Sequence, residues 1–124
     1  MIYLDNSATT NPKPQVVKNA VSKAMNYYSF NSGRGGYKES VNTSNMIFTV
    51  REKIADMFSF LPQNIAFVPN CTFALNYAIK GIAKPGDHFI RSNLEHNAVV
   101  RPIYSLYEKG IISYDAAKFS YDKE

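Results

Sequence analysis

The chain of 124 residues is 45% hydrophobic and 19% charged, an ordinary globular composition that excludes disorder and suffices for one modest domain. Its net charge of +4 comes from 14 basic residues scattered singly, without the continuous basic stripe that a nucleic-acid surface needs. One cysteine excludes an internal disulfide and a multi-cysteine zinc site, so no metal is expected, and it suits a reducing compartment.

The opening Met-Ile-Tyr-Leu-Asp-Asn has neither a basic region nor a long apolar core, and no apolar run approaches membrane-spanning length. The expected setting is the cytoplasm, with no membrane partner. Ile2 to Leu4 reads as a short extended segment. Asn11-Pro12-Lys13-Pro14 then reads as a helix entrance, because proline is tolerated in a first helical turn. Val17, Ala20, Val21, Ala24 and Tyr28 fall on one helical face. Asn31 to Gly36 breaks that pattern. A second amphipathic helix, about Glu39 to Phe58, carries Ile47, Val50, Ile54, Met57 and Phe58, and Pro62 marks its far side.

From there strand and helix alternate. The spacing predicts strand 64–68, helix 72–82, strand 88–92, helix 97–108 and strand 111–114, an α/β order with parallel strands. Three parallel strands normally need helices on both faces and neighbours on both edges, so the polypeptide reads as part of a domain.

Chemistry concentrates at the joint Pro69-Asn70-Cys71-Thr72. In parallel α/β folds ligands sit where the carboxyl end of a strand hands over to a helix, and this joint occupies such a place. Thr72 is a candidate N-cap, and the free N–H groups of the first turn attract an anion such as phosphate. Asn70 tolerates a left-handed backbone, which would keep the turn tight. The plainer alternative is that Thr72 only caps its helix and Asn70 only makes a turn. His88, which begins a strand after Pro-Gly-Asp, reads as an exposed side chain.

Four segments together resemble one family. Tyr3-Leu4-Asp5-Asn6-Ser7-Ala8-Thr9-Thr10 is similar to the N-terminal signature of the class V pyridoxal-phosphate enzymes, the cysteine desulfurase and selenocysteine lyase relatives. Phe67 to Asn76 resembles their phosphate-binding turn and is followed by Ala78-Ile79-Lys80-Gly81. Pro85-Gly86-Asp87-His88 then leads through a strand to Glu95-His96-Asn97-Ala98-Val99-Val100-Arg101-Pro102. The four stand in family order, at family-like spacing, over nearly the whole chain.

The resemblance implies a fold and a set of roles. The fold is α/β, part of a mainly parallel sheet flanked by helices, the N-terminal portion of the large domain of the fold type I enzymes. An N-terminal arm and two helices would occupy residues 1–60, and the first, incomplete part of the cofactor-binding domain 61–124. The cofactor is pyridoxal 5'-phosphate. Its phosphate would be held by the backbone at Cys71 and Thr72 with the Thr72 hydroxyl, and His96 would stack on its ring and handle protons near the substrate. Ala8 would neighbour the substrate. Arg34, in Ser-Gly-Arg-Gly-Gly-Tyr, would steer an anionic substrate or brace a homodimer, or belong to an ordinary surface loop. That glycine-rich segment lacks the Gly-Lys-Ser/Thr ending of a nucleotide-binding loop.

Cys71 does not match the family's persulfide-forming cysteine, which lies in a downstream loop; a small packing or phosphate-contacting role is expected. Asn70 stands where the family commonly has glycine, and Phe73 where it commonly has an acid. No lysine here matches the one that bonds the cofactor; Lys53, Lys80 and Lys84 read as solvated, and Asp87 and Asp115 do not match the acid that protonates the pyridine.

The expected function is therefore that of the N-terminal part of a pyridoxal-phosphate enzyme acting on a small amino acid. A cysteine desulfurase or selenocysteine lyase, with a sulfur-acceptor protein as partner, comes first, and a class V aminotransferase second. The alternative of a different kind is a truncated, non-catalytic α/β module that binds only a small anion or a protein partner.

Overall fold

The structure, a computed structural model, describes residues 2–119, which divide into two compact units between Ala66 and Phe67.

In the first unit the arm is a hydrogen-bonded turn. Asp5 O accepts from Ala8 N–H (3.1 Å), Asn6 Oδ1 accepts from Asn11 N–H (3.1 Å), and the Tyr3 hydroxyl donates to Thr9 O (2.9 Å). The extended segment expected at Ile2 to Leu4 forms no strand, because no described strand lies beside it to complete a ladder. Helix α1, Gln15–Tyr27, starts after Pro14, and the stripe read in the sequence is present but uncovered: α1 buries no residue.

Helix α2, Lys38–Phe58, begins one residue before the expected Glu39. Its first turns tie down the loop before it. Ser40 Oγ is buried, 2.7 Å from Asn31 O and 3.0 Å from Gly35 O, and Ser44 Oγ donates to Ser32 O at 2.8 Å. A Cβ on Gly35 would lie 2.4 Å from the Tyr37 ring, so only glycine lets the loop lie this close. The face expected to be buried is half right: Ile47 and Ile54 are half-buried, whereas Val50, Met57 and Phe58 are exposed. The fully buried positions are Ser40, Thr43 and Ala55. Ser59, at φ 56°, ends α2 in the left-handed conformation, and Phe60 N–H reaches back to Ala55 O (2.9 Å).

The strand expected at 64–68 is absent among the described residues. Pro62–Asn64 forms a single 3-10 turn, and the apolar run after it joins no ladder.

The second unit holds the sheet. Helix α3 is Cys71–Ile82, strand β1 His88–Ser92, helix α4 Asn97–Glu108 and strand β2 Ser113–Ala117. β1 and β2 are parallel, from His88↔Ser113 to Ser92↔Ala117, so the α/β class holds with two strands in place of three. β2 starts two residues later than expected. Ile112 is instead buried in the core, and Ile111 closes turns through its N–H to Leu106 O (3.1 Å) and its carbonyl from Gly86 N–H (2.9 Å). Gly86 and Gly110 make these turns at φ 88° and 66°.

The core lies between α3, α4 and one face of the sheet. Ile79, Ile103, Leu106 and Ile112 form it, with Phe89, Val99 and Tyr114 against them. Pro102 is fully buried within α4, which gives up one main-chain hydrogen bond at that residue. Tyr107 meets Tyr114 edge to face (5.2 Å), and Arg91 lies over the Tyr114 ring (5.5 Å). The Tyr104 hydroxyl is held above its usual pKa by hydrogen bonding to Glu108 and by that carboxylate's charge. On the opposite face His88 is exposed, as expected, and also has partners: Nδ1 lies 2.7 Å from Ser113 Oγ and Nε2 3.2 Å from Asp115.

Candidate cofactor site

Two helix beginnings define the site. At α3 the cap is Asn70, whose Oδ1 accepts from Phe73 N–H (3.0 Å), while Asn70 O accepts from Ala74 N–H (3.1 Å). Two expectations are corrected here. Thr72 is not the N-cap, because the helix already begins at Cys71. Asn70 is not left-handed; at φ −166° and ψ 171° it is extended, the backbone from which an Asn side chain reaches the third N–H of the helix.

The correction strengthens the anion argument. With Asn70 serving Phe73 and Ala74, the N–H groups of Cys71 and Thr72 and the Thr72 hydroxyl have no hydrogen-bond partner among the described residues. Thr72 gives up only its carbonyl, which accepts from Asn76 Nδ2 at 3.0 Å.

At α4 the cap is His96. Its Nδ1 accepts from Ala98 N–H (3.1 Å), and its carbonyl accepts from Val99 N–H (2.8 Å). An accepting Nδ1 leaves the ring hydrogen on Nε2, so the cap fixes the tautomer. The turn that delivers His96 from β1 is tied at both ends. Asn93 N–H donates to Ala117 O (3.0 Å), and Ser92 Oγ donates to Glu95 (3.0 Å).

Thr72 and His96 line one cleft with Asn76, Asn97, Ala98 and Arg101, of about 490 Å³. That volume is within the roughly 300–1,000 Å³ of small-molecule sites. Neither helix carries an acid in its first turn, and Glu95, directly before the α4 cap, accepts from Ser92 Oγ. Cys71 is exposed beside the cleft without lining it. Ala8 and Arg34 belong to the first unit, both exposed, Ala8 in the arm turn and Arg34 in the loop tied down by Ser40 and Ser44. Sequence reasoning did not single out Asn76 and Arg101. Their signal was spacing: Asn76 is four residues from Thr72 and Arg101 four from Asn97, each one turn further along the same helix face.

Among the described residues no group of His, Cys, Asp and Glu is placed to hold a metal, and no helix is long and apolar enough to cross a membrane.

This fold, a parallel strand pair flanked by helices, is shared with solved cysteine desulfurases. A family model described as aminotransferase class-V matches residues 2–118, and the chain belongs to that family. A probable cysteine desulfurase of Methanothermobacter thermautotrophicus is 31% identical over 111 residues, 89% of this chain and 28% of that protein. The cysteine desulfurase IscS of Vibrio campbellii is 34% identical over 114 residues, 88% of this chain and again 28% of the relative. The apo structure of a cysteine desulfurase from Thermococcus onnurineus NA1 superposes with a TM-score of 0.84 at 25% identity, over 96% of this chain and 30% of that one. The chain thus spans about 28% of the length of these curated relatives.

Proposed function

We propose that these residues form the phosphate-binding, ring-covering part of a pyridoxal-phosphate enzyme that acts on a small amino acid in the manner of a cysteine desulfurase. The observation that carries this reading is the cleft lined by both Thr72, with its uncommitted hydroxyl, and His96, at the beginnings of two helices. The donor set fits the cofactor. Two main-chain N–H groups and a hydroxyl suit phosphate oxygens, and a flat imidazole held by its Nδ1 suits the face of a pyridine ring. When bound, the cofactor supplies an electron sink for bonds at the amino-acid α-carbon.

The chain's own residues bind and orient. Cys71 N–H, Thr72 N–H and Thr72 Oγ1 hold the phosphate. His96 covers the ring and presents Nε2, its hydrogen-bearing nitrogen, for proton transfer near the substrate. Ala8 and Arg34 line the substrate side or a dimer interface. Among the described residues no lysine lines the cleft, and covalent attachment of the cofactor is assigned to a lysine outside it. Residues 1–60 are assigned to the arm and first helices and 61–124 to the beginning of the cofactor-binding domain. A homodimer in the cytoplasm and a sulfur-acceptor protein complete the proposal, supported by the kinship to cysteine desulfurases.

In the full-length enzyme Thr72→Ala is expected to weaken cofactor retention about tenfold, the loss of one hydrogen bond to a charged group. Equilibrium dialysis against pyridoxal phosphate measures it; retention equal to wild type would remove Thr72 from the phosphate site.

A further inference from the structure

Among the described residues Arg101, itself solvent-exposed, is the charged side chain of the cleft wall, beside Thr72 and Asn76 from α3 and Asn97 and Ala98 from its own helix. We propose that it is the cationic ligand of the phosphate monoester, an inference that rests on the cofactor-binding reading above.

Three observations converge. First, its guanidinium is uncommitted: among the described residues it has no carboxylate, hydrogen-bond or ring partner. Arg91 shows the contrast, donating to Ser92 O (2.9 Å) and covering the Tyr114 ring. Second, a phosphate monoester carries close to two negative charges near neutral pH, and a guanidinium in the same cleft wall would offset one of them. Third, the position suits the phosphate. Arg101 stands one turn beyond Asn97 on α4, about 6 Å along the axis, and shares the cleft wall with Thr72, whose hydroxyl and N–H are the other phosphate donors. Ala98, small and buried, lines the same cleft. The guanidinium fork matches two phosphate oxygens, which a point-charge lysine does not.

The test uses the full-length apoenzyme and three probes, pyridoxal phosphate, pyridoxal and inorganic phosphate, with binding followed by absorbance and fluorescence. Arg101→Gln is expected to weaken pyridoxal phosphate about tenfold and to leave pyridoxal unchanged. Inorganic phosphate should compete with pyridoxal phosphate in the wild type and markedly less in the variant. Arg101→Lys, which keeps charge and loses the fork, should recover part of the affinity and guards against a folding defect in the first variant. Equal pyridoxal phosphate affinity in wild type and both variants would overturn the inference while leaving the cofactor reading intact. So would a rise in substrate KM with unchanged cofactor affinity, since it would assign Arg101 to the substrate carboxylate. A wild-type apoenzyme that binds neither pyridoxal phosphate nor phosphate would overturn the cofactor reading and this inference together.

Discussion

The two units spend their apolar residues differently. In the second, Ile79, Ile103, Leu106 and Ile112 close a core against the sheet. In the first, α1 buries nothing, and Val17, Val21 and Met25 stand exposed in one row beside Lys13 and Lys18. The same helical spacing therefore has two meanings. Periodicity says that a helix has an apolar face, and only the packing says whether anything covers it.

Substitutions can break that contrast. Ile103→Ala in the full-length protein is expected to cost about 2–5 kcal/mol, since the side chain is buried and leaves a cavity. Val21→Ala should change stability by less than about 0.5 kcal/mol if its face is as open as it stands here. Urea denaturation of both variants reads the difference; a comparable loss at Val21 would mean that α1 is covered in the intact protein.

Within the first unit, Ser40→Ala sharpens the comparison by testing polar rather than apolar burial. It removes the hydroxyl shared by Asn31 O and Gly35 O, with an expected loss of about 1–2 kcal/mol. Hydrogen exchange should show the loop around Arg34 loosening before α2 does; unchanged protection there would show that Ser40 does not hold it. A smaller effect than at Ser40 is expected at the second unit's cap. Asn70→Ala should cost about 1 kcal/mol, whereas Asn70→Ser should be nearly neutral. Equal losses in a thermal melt would rule out side-chain capping as the reason for the residue.

Much of the second unit was legible in the sequence. Helix 97–108 and strand 88–92 appear at the residues expected, because His96 and the Pro-Gly-Asp turn mark their beginnings locally. The strand expected at 64–68 was not legible, since a strand exists only by pairing and no local signal reports a missing partner. Thr72 was read as a cap because threonine suits that role; Asn70, two residues earlier, suits it better, and only backbone geometry decided between them. Thr72 and His96, singled out from their motifs, line one cleft. Arg101 was not singled out, because a single arginine on an amphipathic helix looks like any solvated charge until the opposite helix is placed beside it.

The Nδ1 of His96 that starts α4 has a consequence for how this residue can be studied. Replacing it by alanine removes a helix cap and a ring in one step, so a slow enzyme and a loosened helix would arrive together. Asparagine can still accept the Ala98 N–H while offering no aromatic face. The pair His96→Asn and His96→Ala thereby separates the helix anchor that His96 provides from the ring-covering role proposed for the same side chain.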